Sequence, residues 1–247
     1  MSTFEEIVAA VDRALAELGF ERSSKLRRIV WQGRYDGRPC SVSVAPQSRT
    51  RYAGEVRVRQ HLGWRLRAEM GLSARVLVFF VRETIAENAV VRWIYRLKRQ
   101  EVLPVPKVLE GFRVVARQAP WAEALIRDTA AMTAAADLLR DKATAKLAGS
   151  VHLGATVETG KIYYASPVLQ PADLTAERCL WILAGLEEIA QAAERLPPPA
   201  NPHVPSRFER FGQENPALVA VACLGCALAF LGGGALVLFA LLALLAR

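Results

Sequence analysis

RIVWQGRYDGRPCSVSVA, residues 28–45, is the stretch on which the fold turns. Asp36 and Gly37 stand at its centre, flanked by the strand-length runs 28–35 and 38–45. An Asp-Gly pair tolerates the two positive-φ positions of a tight turn, so the stretch reads as a β-hairpin. In its second arm Cys40, Val42 and Val44 alternate with Ser41 and Ser43. That period of two leaves one face apolar and the other wet.

Working outward, residues 55–59 and 64–70 alternate in the same way and are expected to pair as a second hairpin. Residues 75–81 form a more continuous apolar run suited to a central strand. On the other side of the hairpin, residues 3–19 carry Phe4, Ile7, Val8, Val11, Leu15 and Leu18 at helical spacing. Ser2 or Thr3 can cap that helix, and Gly19 ends it. Thr84 and Glu87 fit a second capping box, opening a helix over 84–100. Residues 103–106 (Leu-Pro-Val-Pro) then break regular structure. The second half reads as a strand over 112–117, helices over 121–127 and 130–147, a hairpin of 150–156 with 161–166, and a helix over 175–196.

The expected class is therefore α+β, with antiparallel strands and covering helices in two small subdomains, 1–103 and 110–196, that share an interface, a single domain being the alternative at this length. Five prolines mark residues 197–215 as a polyproline-like spacer, and a transmembrane helix is expected over 216–246. Residues 217–246 hold no charge and no proline, whereas about 20 apolar residues suffice to cross a ~30 Å hydrocarbon layer. Arg207 and Arg210 precede this run and only Arg247 follows it, so the positive-inside tendency places the preceding domain in the cytoplasm and the chain end on the far side. The acidic, amphipathic first twenty residues do not read as a signal peptide, and an anchor at the tail implies insertion after translation. Within the run, Gly225, Ala229 and Gly233 recur at four-residue steps and make a close-packing face for self-association. Cys223 and Cys226 fall in the same run, where lipid depth argues against redox or metal chemistry.

The +8 charge is uneven. Between Arg22 and Arg75 thirteen Lys/Arg face three acids, and from Glu110 to Glu214 eleven basic residues face thirteen acidic ones. Arg57 and Arg59 share one strand face, and Arg65 and Arg67 share another. If those segments pair as a hairpin, the four guanidinium groups gather into a site for anionic surfaces, with lipid headgroups the nearest phosphates for a tethered domain. The competing reading is a wet sheet face whose cross-strand partners are Glu55 and Glu69. Nucleic acid is the less suited ligand, since no aromatic RNA-binding motif accompanies the arginines. The helix 84–100 has an apolar side of Val90, Trp93, Ile94 and Leu97 and a basic side with Arg92, Arg96, Lys98 and Arg99. It is expected to cover the preceding strand, with a place in a membrane interface as the alternative.

The sequence has no phosphate-binding loop, no dinucleotide fingerprint, no nucleophile elbow and no His-Glu-x-x-His motif. His61 and His152 read as surface residues at strand ends, His203 falls in the spacer, and Asp137 and Asp141 read as solvated partners of nearby bases. No catalytic residue, cofactor or metal is expected. The function expected is a single-pass, tail-anchored module that presents a cytoplasmic domain to a protein partner or to the anionic membrane surface. A membrane-tethered enzyme with scattered residues is the alternative.

Overall fold

The computed structural model describes residues 4–25, 28–53, 56–141, 149–155 and 159–204. The expected caps Ser2 and Thr3, the end of the helix 130–147, Glu55, residues 205–215 of the spacer and the transmembrane run with Gly225, Ala229 and Gly233 lie outside the described residues. Among the described residues no helix is long and apolar enough to cross a membrane.

The chain begins with helix α1 (Phe4–Glu17) and runs through strands β1 (Glu21–Lys25), β2 (Arg28–Tyr35), β3 (Arg38–Ala53), β4 (Val56–Leu72) and β5 (Val78–Arg82). Two short helices follow, α2 (Glu83–Ala86) and α3 (Ala89–Leu97), before β6 (Glu101–Leu103) and β7 (Phe112–Ala116). Helices α4 (Ala119–Ile126) and α5 (Thr129–Leu139), the hairpin of β8 (Ser150–Ala155) and β9 (Gly160–Ala165), and helix α6 (Ala176–Arg195) complete the domain. The architecture is α+β.

All the strands join one antiparallel sheet in the order β1-β2-β3-β4-β9-β8-β5-β7-β6. This sheet takes strands from both expected subdomains, 1–103 and 110–196. Strand β4 of the first half pairs with β9 of the second, β5 pairs with both β7 and β8, and the described residues up to Val204 form a single compact unit. Pro104 and Pro106 interrupt secondary structure without marking a domain boundary, because β6 folds back onto β7 beside β5.

Register explains the two faces. Val42, Ala68, Tyr164 and Val151 align across four strands, as do Met70, Ile162, Leu153 and Val78, and all are buried. Onto this face pack Val8, Val11 and Leu15 of α1, Met132 and Leu139 of α5, and Ile182, Leu186 and Ile189 of α6, in one core cluster. A second row on the opposite face runs Ser41, Glu69, Tyr163, His152, Phe79, Val115 and Val102 across seven strands. Arg38 ties sheet to helix: its Nε donates to both Glu187 carboxylate oxygens at 3.0 and 2.9 Å, and Nη1 meets Glu194 at 2.5 Å.

The Asp-Gly turn forms as its residues dictate, with Asp36 at φ 48° and Gly37 at φ 78°. The second expected hairpin does not form. Residues 56–59 and 64–70 lie in a single strand, β4, which pairs with the similarly long β3 from Cys40 to Ala53. Gln47 faces Gly63 and Ser48 faces His61, so Leu62 is an extra, bulged residue. Gly63 sits there at φ 135°, and a side chain on it would collide with the Leu169 carbonyl oxygen. That oxygen accepts from Trp64 N–H at 2.8 Å. Beyond the bulge the β3–β4 ribbon runs past the reach of β9, whose pairing with β4 stops at Arg67.

Candidate functional site

The four arginines expected to cluster do not meet. Arg57, Arg59, Arg65 and Arg67 lie along one strand, and eight residues at ~3.3 Å rise put about 26 Å between Arg59 and Arg67. Arg59 is exposed and its Nε donates to Ser48 Oγ at 2.8 Å. Arg57 pairs in register with Tyr52. Arg65 and Arg67 sit opposite Ala45 and Ser43, away from the core face. Past the bulge it is odd-numbered β4 residues that continue the core-side face, so Arg59 and Arg67 point to opposite sides of the ribbon. Arg65 is half-buried with its Nε lacking a hydrogen-bond partner, and Glu69 pairs with Lys161 at 3.2 Å in place of an arginine.

His61 is exposed as expected, whereas His152, His203 and Asp141 differ from expectation. His152 is in the body of β8, its ring stacked 4.4 Å from Tyr163 and edge-on 5.2 Å from Phe79. Burial pushes its pKa down to about 4. His203 is buried, donates its backbone N–H to the Arg75 carbonyl at 2.8 Å and meets Arg117 through its ring. Residues 197–204 are thus docked rather than a free spacer: Trp121 Nε1 donates to the Pro197 carbonyl at 3.1 Å, and Gln118 Nε2 to that of Asn201 at 3.2 Å. Asp141 is buried just past α5. Tyr164 donates its hydroxyl to Oδ2 at 2.7 Å, and Arg178 pairs with Oδ1. A cleft of about 680 Å³ lies beside it, lined also by Trp181. With both carboxylate oxygens engaged, Asp141 holds α5, β9 and α6 together and is poorly placed to move protons. Burial raises the Cys40 and Cys179 thiols to about 11 and about 12, which keeps both inert.

The helix expected to cover the sheet is built differently from its sequence pattern. Asn88, rather than Thr84, starts it, its side chain accepting from the N–H groups of Val90 and Val91 at 3.0 and 3.3 Å. That cap splits the expected helix into α2 and α3. Short α2 packs on β5 and β7 and buries Ala86. No residue of α3 is buried. Val91 and Tyr95, one turn apart, are its half-buried positions, whereas Val90 is 64% exposed, Trp93 60% and Leu97 63%. The apolar stripe therefore faces outward. Arg92, Arg96, Lys98 and Arg99 are exposed beside it. Just past α3, Arg99 lines a cleft of about 520 Å³ together with Trp121 and Val204, so the described chain ends beside this helix.

No protein-family model matches this chain, and no curated protein or solved structure matches it either.

Proposed function

We propose that the protein is a single-pass, membrane-tethered module. Residues 216–246 cross the bilayer, and the preceding α+β domain is a cytoplasmic interaction module for the anionic membrane surface or for a protein partner held there. The observation that carries this is the uncharged run 217–246, placed after a domain that forms a compact unit of its own up to Val204. Thirty such residues exceed the span of a bilayer core, and few globular helices approach that length.

The arginine-rich β4 suits this role as spread charge along a ribbon, not as one pocket. Each of Arg57, Arg59, Arg65 and Arg67 that reaches the surface adds ~1 kcal/mol of attraction to anionic lipid. Gly225, Ala229 and Gly233 give the membrane helix a face through which two copies associate. The enzyme alternative gains nothing from the buried carboxylate, since both oxygens of Asp141 are engaged.

Orientation is tested with protease on sealed membranes. In vesicles that expose the cytoplasmic side, the domain up to Val204 is expected to be digested, and in vesicles of opposite sidedness it is expected to survive. The reverse pattern overturns the cytoplasmic assignment.

A further inference from the structure

We infer that α3 lies in the headgroup layer of an anionic bilayer, with Val90, Trp93, Ile94 and Leu97 inserted toward the lipid chains. The inference rests on the tethered reading above and names the surface through which the domain meets its membrane.

The packing of α3 is inverted. An amphipathic helix of a globular domain buries its apolar stripe, whereas in α3 only Val91 and Tyr95 are half-buried and the stripe is left in water. A continuous exposed apolar face of this kind marks a surface that something covers.

Charge selects the cover. Residues 88–100 contain four basic residues and no acid. A basic helix with tryptophan on its apolar side is suited to the boundary between anionic phosphates and acyl chains. A second copy is a poor occupant, because a two-fold contact through α3 would set the same four cations against each other.

The position of α3 agrees with this. Arg99, two residues past α3, and Val204, the last described residue, line the same cleft. The tether therefore leaves the domain at the end of α3. The run 217–246 begins after residues 205–216, and about twelve residues reach at most ~43 Å even when fully extended. Once that run is in the bilayer, the point beside α3 where the tether leaves the domain is within that reach of the lipid surface. Because residues 197–204 are docked, the reach is shorter than a free spacer from residue 197 would allow.

Full-length protein in vesicles of phosphatidylcholine and phosphatidylglycerol with brominated acyl chains tests this through tryptophan fluorescence. Quenching by the brominated lipid is expected in the wild type, lost in Trp93→Phe and retained in Trp181→Phe. It is also expected to weaken when phosphatidylglycerol is omitted. Trp93 is 60% exposed and Trp181 39%, so both substitutions are expected to leave the fold intact, which a thermal melt of each variant checks.

Equal quenching in wild type and Trp93→Phe overturns the inference. So does ready quenching of Trp93 by aqueous acrylamide. Protection of Trp93 from both quenchers also overturns it, in favour of a protein partner on that face. Insensitivity to phosphatidylglycerol would contradict the role given to the four basic residues. A carbonate wash of the same vesicles separates the two readings. Protein that resists the wash without Trp93-dependent quenching sinks the α3 contact alone. Protein stripped by the wash that had shown such quenching sinks the tether and keeps the contact.

Discussion

His152 shows how one residue's environment becomes a measurable property. Its ring is held between Tyr163 and Phe79, its Nδ1 is buried without a hydrogen-bond partner, and burial lowers its pKa from 6.5 to about 4. Below pH 6.5 the unfolded chain takes up a proton that the folded chain refuses. This residue therefore makes folding less favourable as pH falls from 6.5 to about 4, and the effect levels off below that. A shift of this size corresponds to about 3 kcal/mol at most. His152→Phe removes the titration and keeps the stack. The variant is expected to match or exceed wild-type stability at pH 7.5, because a buried group lacking a partner is gone. Its advantage should grow steadily on acidification to pH 4. Urea titrations at several pH values check this, and a pH-independent difference would show that the ring titrates as it does in water. The sequence did not disclose this environment: a lone histidine in an alternating strand looks the same whether its neighbours across the sheet are aromatic or absent.

At the scale of elements, reading and structure agree where the signal is local. The Asp36-Gly37 turn, the hairpin of β8 and β9, and the stripe of α6 through Cys179, Ile182, Leu183, Leu186 and Ile189 all follow from spacing alone. They part where a partner distant in the chain decides. Leu62 and Gly63 look like a break between two strands, yet Leu169 pairs with Trp64 and carries β4 through the bulge. Glu21–Lys25 has no apolar alternation and becomes a strand because β2 offers it an edge, with Arg22 on β1 and Trp31 on β2 both reaching Asp12 of α1. The proline-rich residues 197–204 read as a spacer because prolines stiffen a chain whether or not it is docked. Their docking gives a prediction. A chain ending at Leu196 leaves the Trp121 indole and the Gln118 amide without their carbonyl partners and uncovers the surface under Pro199 and His203. It should be less stable than a chain ending at Val204 by about 2–3 kcal/mol, at ~1 kcal/mol per lost hydrogen bond plus the uncovered apolar area. Thermal or urea unfolding of the two chains measures the gap. Equal midpoints would mean the strap contributes nothing.

Across the whole molecule, the α+β class was legible because alternating strands and amphipathic helices declare themselves separately. The unity of the sheet was not. Pairing of β4 with β9 links residues about ninety positions apart, and no local pattern encodes that register. The candidate surfaces divide in the same way. The basic character of β4 and the amphipathic pattern of α3 were plain, but whether the arginines met and which way α3 faced depended on a bulge and a cap. In the proposed topology residues 217–246 join this domain to a membrane, and alkaline carbonate extraction tests that junction most directly. Full-length protein is expected to stay in the membrane pellet, and a chain ending at Val204 to appear folded in the supernatant. Release of the full-length protein by carbonate would contradict the account.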